Sequence, residues 1–170
     1  MADLGPQERL QPSLLDRLTD DEPRKQVESR TQRVLSAQKL RESVKRDLSW
    51  LLNCGNLASA EDLEDGSPAA HSVLNYGVPE LAGRPVSPAD HREFERLLRQ
   101  AILDFEPRIL RRSVKVRAVD PLEEANPMMF AFEIEGELWA EPVPLHLLLR
   151  TDFDVEAGIA RVSESRGSGG

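Results

Sequence analysis

The sequence predicts an α+β fold: a small three-stranded antiparallel meander covered on one face by two amphipathic helices, with an N-terminal arm. Two stretches of helical apolar period come first, and three stretches of strict alternation follow Pro107. Short connections make consecutive strands antiparallel neighbours, and a sheet with one apolar face needs helices to cover it. The 170 residues then divide into an arm over 1–34, one core domain over 35–158 and a disordered tail over 159–170.

The arm carries one short apolar segment, Pro12-Ser13-Leu14-Leu15-Asp16-Arg17-Leu18, closed by Asp20-Asp21-Glu22-Pro23. A single helical turn of this size does not hold its shape alone, so its leucines dock either on its own domain or on another chain. The first long helix is predicted over 34–53, with Leu40, Val44, Leu48, Leu51 and Leu52 on one face and Gly55 ending it. Glu42 and Arg46 stand four residues apart on its outer face as an expected ion pair. Residues 55–71 read as an acidic surface loop, and His71 to Pro79 as a short apolar segment. Within that segment Asn75 and Tyr76 serve either as polar anchors of a buried loop or as an exposed contact site.

The second helix is the best-specified element. Ser87 is the expected N-cap, with Pro88 at the first helical position and Asp90 completing a capping box. Phe94, Leu97, Leu98, Ala101, Ile102 and Phe105 share one face. Burying the four largest at 94, 97, 98 and 102 contributes roughly 1.5–3 kcal/mol each before entropy. Pro107 stops this helix, because it lacks an amide donor and disfavours helical geometry at Glu106. A carboxylate and a guanidinium, Glu106 and Arg108, therefore meet where the chain leaves the helix.

Beyond this turn the period becomes two. Strands are predicted over 113–119, from Met128 to Glu135 and from Leu145 to Val155, with Pro121, Pro127, Pro142 and Pro144 bounding the connections. After Gly158 the chain dissolves into Ser, Gly and Arg.

Composition narrows the chemistry. A net charge of −8 disfavours nonspecific nucleic-acid binding, which needs Lys and Arg to neutralise phosphates. Residues 24–46 nevertheless carry eight Lys or Arg against two Glu, a basic stretch that suits an acidic protein partner or a solvated face. No apolar run is long enough to span a membrane and the N-terminus lacks a signal core, so a cytoplasmic location and no membrane insertion are expected. The single cysteine, Cys54, excludes an intrachain disulfide framework. His71, His91 and His146 are scattered, and neither a nucleophile elbow, a metal-ligand spacing nor a phosphate-binding glycine loop is present, so no cofactor, metal or small-molecule substrate is expected. A glycoside hydrolase needs only two carboxylates, about 5 to 9.5 Å apart. Glu106 is the candidate general acid, but no second carboxylate is identifiable, and a paired Arg108 acts against an acid role.

The segments Pro12 to Leu18, Val44 to Asn53, Ser72 to Gly77, and Phe105-Glu106-Pro107-Arg108 occur in an order and spacing that resembles TssE, the baseplate wedge subunit of bacterial type VI secretion systems. TssE is itself similar to a small phage tail baseplate protein once grouped with lysozymes. The resemblance spans about residues 10–160 and implies a non-catalytic cytoplasmic assembly protein, in a baseplate docked at the inner-membrane complex. Its implied partners are TssF, TssG and TssK in the wedge, and the TssB–TssC sheath around the Hcp tube, primed by strand addition. The resemblance places Glu106, Pro107 and Arg108 at the wedge contact, and the leucines of the arm, Leu14, Leu15 and Leu18, are expected to bind wedge partners as well. Replacing Glu106 or Arg108 is accordingly expected to stop partner binding while sparing the melt.

Overall fold

A computed structural model of the chain describes residues 13–19, 37–61, 63, 67–80, 88–119, 128–140 and 143–165. Three helices, α1 (Leu14–Leu18), α2 (Ala37–Leu52) and α3 (Pro88–Phe105), precede four strands, β1 (Lys115–Val119), β2 (Met129–Leu138), β3 (Leu145–Asp154) and β4 (Ile159–Glu164). The strands form one antiparallel sheet in the order β1-β2-β3-β4.

The fold class is α+β as read from the sequence, but the three-stranded meander is corrected to four strands. The fourth lies in the segment expected to be a disordered tail. Gly158, at φ 65°, is the left-handed position of a hairpin turn that sends the chain back along β3, where Ile159 pairs with Asp154 and Glu164 with Leu149. Only Ala160 of this strand is fully buried, so its period is too weak to read from composition.

The alternation within the strands sorts side chains as period two requires. Phe130, Phe132, Ile134 and Leu138 of β2 and Leu147, Leu149 and Phe153 of β3 face the helices and are buried. The opposite face is ionic: Lys115 lies 3.3 Å from Glu135 and Arg117 3.2 Å from Glu133, each across a register pair. Opposite charges directly across an antiparallel pair favour this register, since a slip by one residue would send the phenylalanines to solvent.

Both helices lie on the apolar face, α3 over β1 and α2 over β3 and β4. Leu40, Val44, Leu48, Leu51 and Leu52 of α2 are buried as their period predicts. On α3, Phe94, Leu98, Ala101 and Ile102 enter the core, whereas Leu97 is only half-buried. Phe94 packs among Phe130, Phe132 and Phe153 with ring centroids 5.3 to 5.7 Å apart, in edge and tilted geometries that suit the ring quadrupoles. The expected N-cap Ser87 lies outside the described residues. The capping box that is described starts α1: Ser13 Oγ accepts from the Asp16 amide at 3.2 Å, and the Asp16 carboxylate accepts from the Ser13 amide at 3.2 Å.

Candidate functional site

The Glu-Pro-Arg turn is fixed from both sides. On its helical side the Glu106 amide still donates to the Ile102 carbonyl at 2.9 Å. Past the proline the chain runs alongside the end of β2: the Leu110 amide donates to Glu137 and the Trp139 amide to Arg108, both at 2.8 Å. Ile109, buried, forms the antiparallel bridge to Leu138 between these bonds. The backbone of Arg108 thus behaves as a sheet extension, and its side chain turns back toward the helices.

There it meets Glu106 in a bidentate pair. Arg108 Nε donates to Glu106 Oε1 at 2.7 Å and Nη2 donates to Oε2 at 2.5 Å, while the Arg108 amide adds a bond of 3.1 Å to Oε1. Nη2 also donates to Asp47 Oδ2 at 2.5 Å, and Nη1 to Ser43 Oγ at 3.1 Å. Burial opposes the charge on Arg108, and the Glu106 and Asp47 carboxylates outweigh that cost, so its pKa is raised. Glu106 is 4% exposed and the Arg108 side chain 19%. The pair therefore belongs to the body of the protein, and both Glu106 oxygens are already acceptors.

The same network reaches the arm. Arg46 Nε donates to Asp47 Oδ1 at 2.8 Å, and Arg46 Nη1 lies 2.9 Å from Asp16 Oδ1. Burial works against ionisation of Asp16, but its bonds from Ser13 and Arg46 hold its pKa below the ordinary value of 3.8. Glu106, Arg108, Asp47, Arg46 and Asp16 thus alternate in sign from the end of α3, across α2, to α1. The expected Glu42–Arg46 pair does not form this way: Arg46 turns to Asp47 and Asp16, stacking over Trp50 at 5.1 Å, and Glu42 accepts from Gln38 at 2.9 Å.

Beside the network lies a groove of about 390 Å³. Leu48, Leu51, Tyr76, Phe105 and Pro107 give it apolar walls, Asp47, Glu106 and Arg108 add charge, and Ser13 of the arm reaches it. Tyr76 is placed by a 3-10 turn at Val73–Asn75 and by its edge contact with Phe105 at 5.3 Å. Asn75 is a polar anchor, accepting from the Ala58 amide at 2.9 Å and donating to the Ala70 carbonyl at 2.8 Å. Gly77 then passes so close to the Cys54 carbonyl, at φ 129°, that a Cβ has no room. Burial pushes the Tyr76 phenol up, and Cys54, Asp47 and Glu106 push in the same direction.

Of the residues singled out from the sequence, Glu106, Pro107 and Arg108 meet in this groove. Leu14 and Leu18 point to solvent, 71% and 74% exposed, and Leu15 is 42% exposed. Ser43, Asp47 and Asp16 were missed as members of the site, whereas the sequence singles out Tyr76 as an anchor or contact residue and Arg46 only as a partner for Glu42. A signal existed for two of them: Ser43 and Asp47, four apart, border the apolar face of α2, where a polar residue needs a partner. Among the described residues no group of three or more His, Cys, Asp or Glu is placed to hold a metal ion, and no helix is long and apolar enough to cross a membrane.

Comparison with curated proteins and with solved structures found no match. The family model described as baseplate wedge protein gp25 matches residues 38–143, more than half of the chain, from the start of α2 through the Glu-Pro-Arg turn to the loop before β3. This chain therefore belongs to the baseplate wedge protein gp25 family, to which the type VI baseplate subunit TssE corresponds, and is a phage-tail-like baseplate component.

Proposed function

We propose that this chain is the non-catalytic wedge subunit of a type VI secretion baseplate, working in the cytoplasm beneath the inner-membrane complex. It binds TssF, TssG and TssK and starts polymerisation of the TssB–TssC sheath around the Hcp tube. The observation that carries this reading is the Glu106-Pro107-Arg108 turn, rigidly held beside an apolar groove with its charges paired inside the chain. Such a surface suits recognition. A general acid needs a carboxyl group free to meet substrate, whereas both Glu106 oxygens are engaged and Arg108 stands between Glu106 and Asp47.

The sheet edges support a direction for sheath priming. At β1 the helix α3 occupies edge groups: Glu95 accepts from the Ala118 amide at 2.6 Å, and Arg99 donates to the Val114 carbonyl at 3.1 Å. At β4 the Asn53 side chain covers Ala160, bonding its amide at 2.9 Å and its carbonyl at 2.8 Å. By strand alternation the amide and carbonyl of Val162 also face away from β3, with no partner among the described residues. An open edge of this kind accepts an added strand.

Two variants separate the roles. Leu14→Ser with Leu18→Ser should abolish co-purification with TssF–TssG while leaving the melt in place. Val162→Pro, which removes an outward amide and changes a side chain only partly buried against the core, should keep wedge binding and lose sheath assembly. Retained wedge binding in the first, or normal sheath growth in the second, counts against the respective contact. Clearing of purified sacculi by the wild-type chain, abolished by Glu106→Gln, would replace the reading with a hydrolase.

A further inference from the structure

Every charged group in the groove beside the Glu-Pro-Arg turn already has a counter-charge in the chain. Asp47 accepts from Arg46 and Arg108 on separate oxygens, and Glu106 accepts from Arg108 on both. The Tyr76 hydroxyl is different. It lies in a residue lining the groove, and among the described residues nothing hydrogen-bonds to it. Its ring is immobilised by Phe105, by the doubly tethered Asn75 before it and by the close-packed Gly77 after it. Burial and the surrounding acidic groups keep the phenol protonated, so it is available as a donor. A half-buried hydroxyl fully covered without an acceptor would cost free energy, so whatever fills the groove must supply one.

Charge argues the rest of the occupant. A cation or anion entering here would lose water and find no free partner, which disfavours both. The volume of about 390 Å³ suits a few side chains and not a whole helix. We propose that the groove receives an uncharged apolar side chain of a partner protein, with the Tyr76 hydroxyl donating to a main-chain carbonyl of the same segment. This rests on the wedge reading and names Tyr76 as the residue that sets the register of the inserted segment.

Tyr76 is the only tyrosine in the chain, which makes the test direct. Purified TssF–TssG should bind Tyr76→Phe about fivefold more weakly than wild type, the worth of one net hydrogen bond. The ratio should be the same at low and high salt, because the occupant is uncharged. The thermal melt should not move, since the hydroxyl has no partner among the described residues. With tyrosine labelled only at the ring carbon that bears the hydroxyl, its single resonance should shift as TssF–TssG saturates the protein. Equal affinity of Tyr76→Phe and wild type, a salt-dependent ratio, or a tyrosine signal unmoved at saturation would each overturn the proposal. Failure of the wild-type chain to bind TssF–TssG would instead overturn the wedge reading beneath it.

Discussion

At the scale of single residues, Arg108 joins elements that the sequence keeps apart. Its guanidinium satisfies a buried Glu106, an Asp47 that is 61 residues distant and the hydroxyl of Ser43. Removing one member of such a pair leaves the others charged and dry, which costs more than the intact pair contributes. Arg108→Ala should therefore lower the unfolding free energy by about 3–5 kcal/mol in urea titrations. An unchanged urea midpoint would show that water replaces the guanidinium without loss. This reverses the expectation that either charge can be removed without touching the melt. The carboxylate and guanidinium flanking Pro107 were legible as letters, but Asp47 and Ser43 acquire their role only when α2 packs against the turn. Loss of partner binding in Arg108→Ala is consequently ambiguous, which is why exposed leucines and Tyr76→Phe make better probes of recognition.

At the scale of elements, the arm is pinned by polar groups while its leucines face out. Five residues cannot sustain a helix by backbone bonds alone, so α1 depends on its capping box and on the Asp16–Arg46 bridge. Asp16 has a depressed pKa in the folded chain, so its contribution is present above the ordinary value of 3.8 and is lost as pH falls through the lower folded value. Acidification below about pH 3.8 should move the Leu14–Leu18 amide resonances toward random-coil positions before the core unfolds. Asp16→Asn should produce the same arm signature at neutral pH, with amide exchange in this segment about tenfold faster, the worth of one charge-assisted bond. An arm that stays protected in Asp16→Asn would place its anchoring elsewhere. The arm was readable as a short leucine helix needing a dock; its carboxylate holds it to its own domain, while its leucines stay exposed.

At the scale of the whole molecule, β4 closes the core that the sequence assigned to three strands. It covers the β3 edge, and its Ala160 is fastened to the end of α2 through both bonds of Asn53. Deleting residues 159–170 should cost about 2–3 kcal/mol of stability from lost burial of Ala160 and Val162, and expose the β3 edge to aggregation. Calorimetry and light scattering of the shortened chain check this, and a melt equal to the full chain would restore the disordered tail. The sequence by itself determined the α+β class, the two core helices, the strands from Lys115 to Asp154 and the halt at Pro107. Each of these depends on local periodicity or on proline geometry, which neighbouring residues encode. Only the tertiary structure decided the fourth strand, the burial of Glu106, the link from Arg108 through Asp47 and Arg46 to the arm, and a Tyr76 hydroxyl without a partner among the described residues. Those are relations between residues far apart in the chain, and no period in a single segment records which distant group will compensate a charge or leave a donor unpaired.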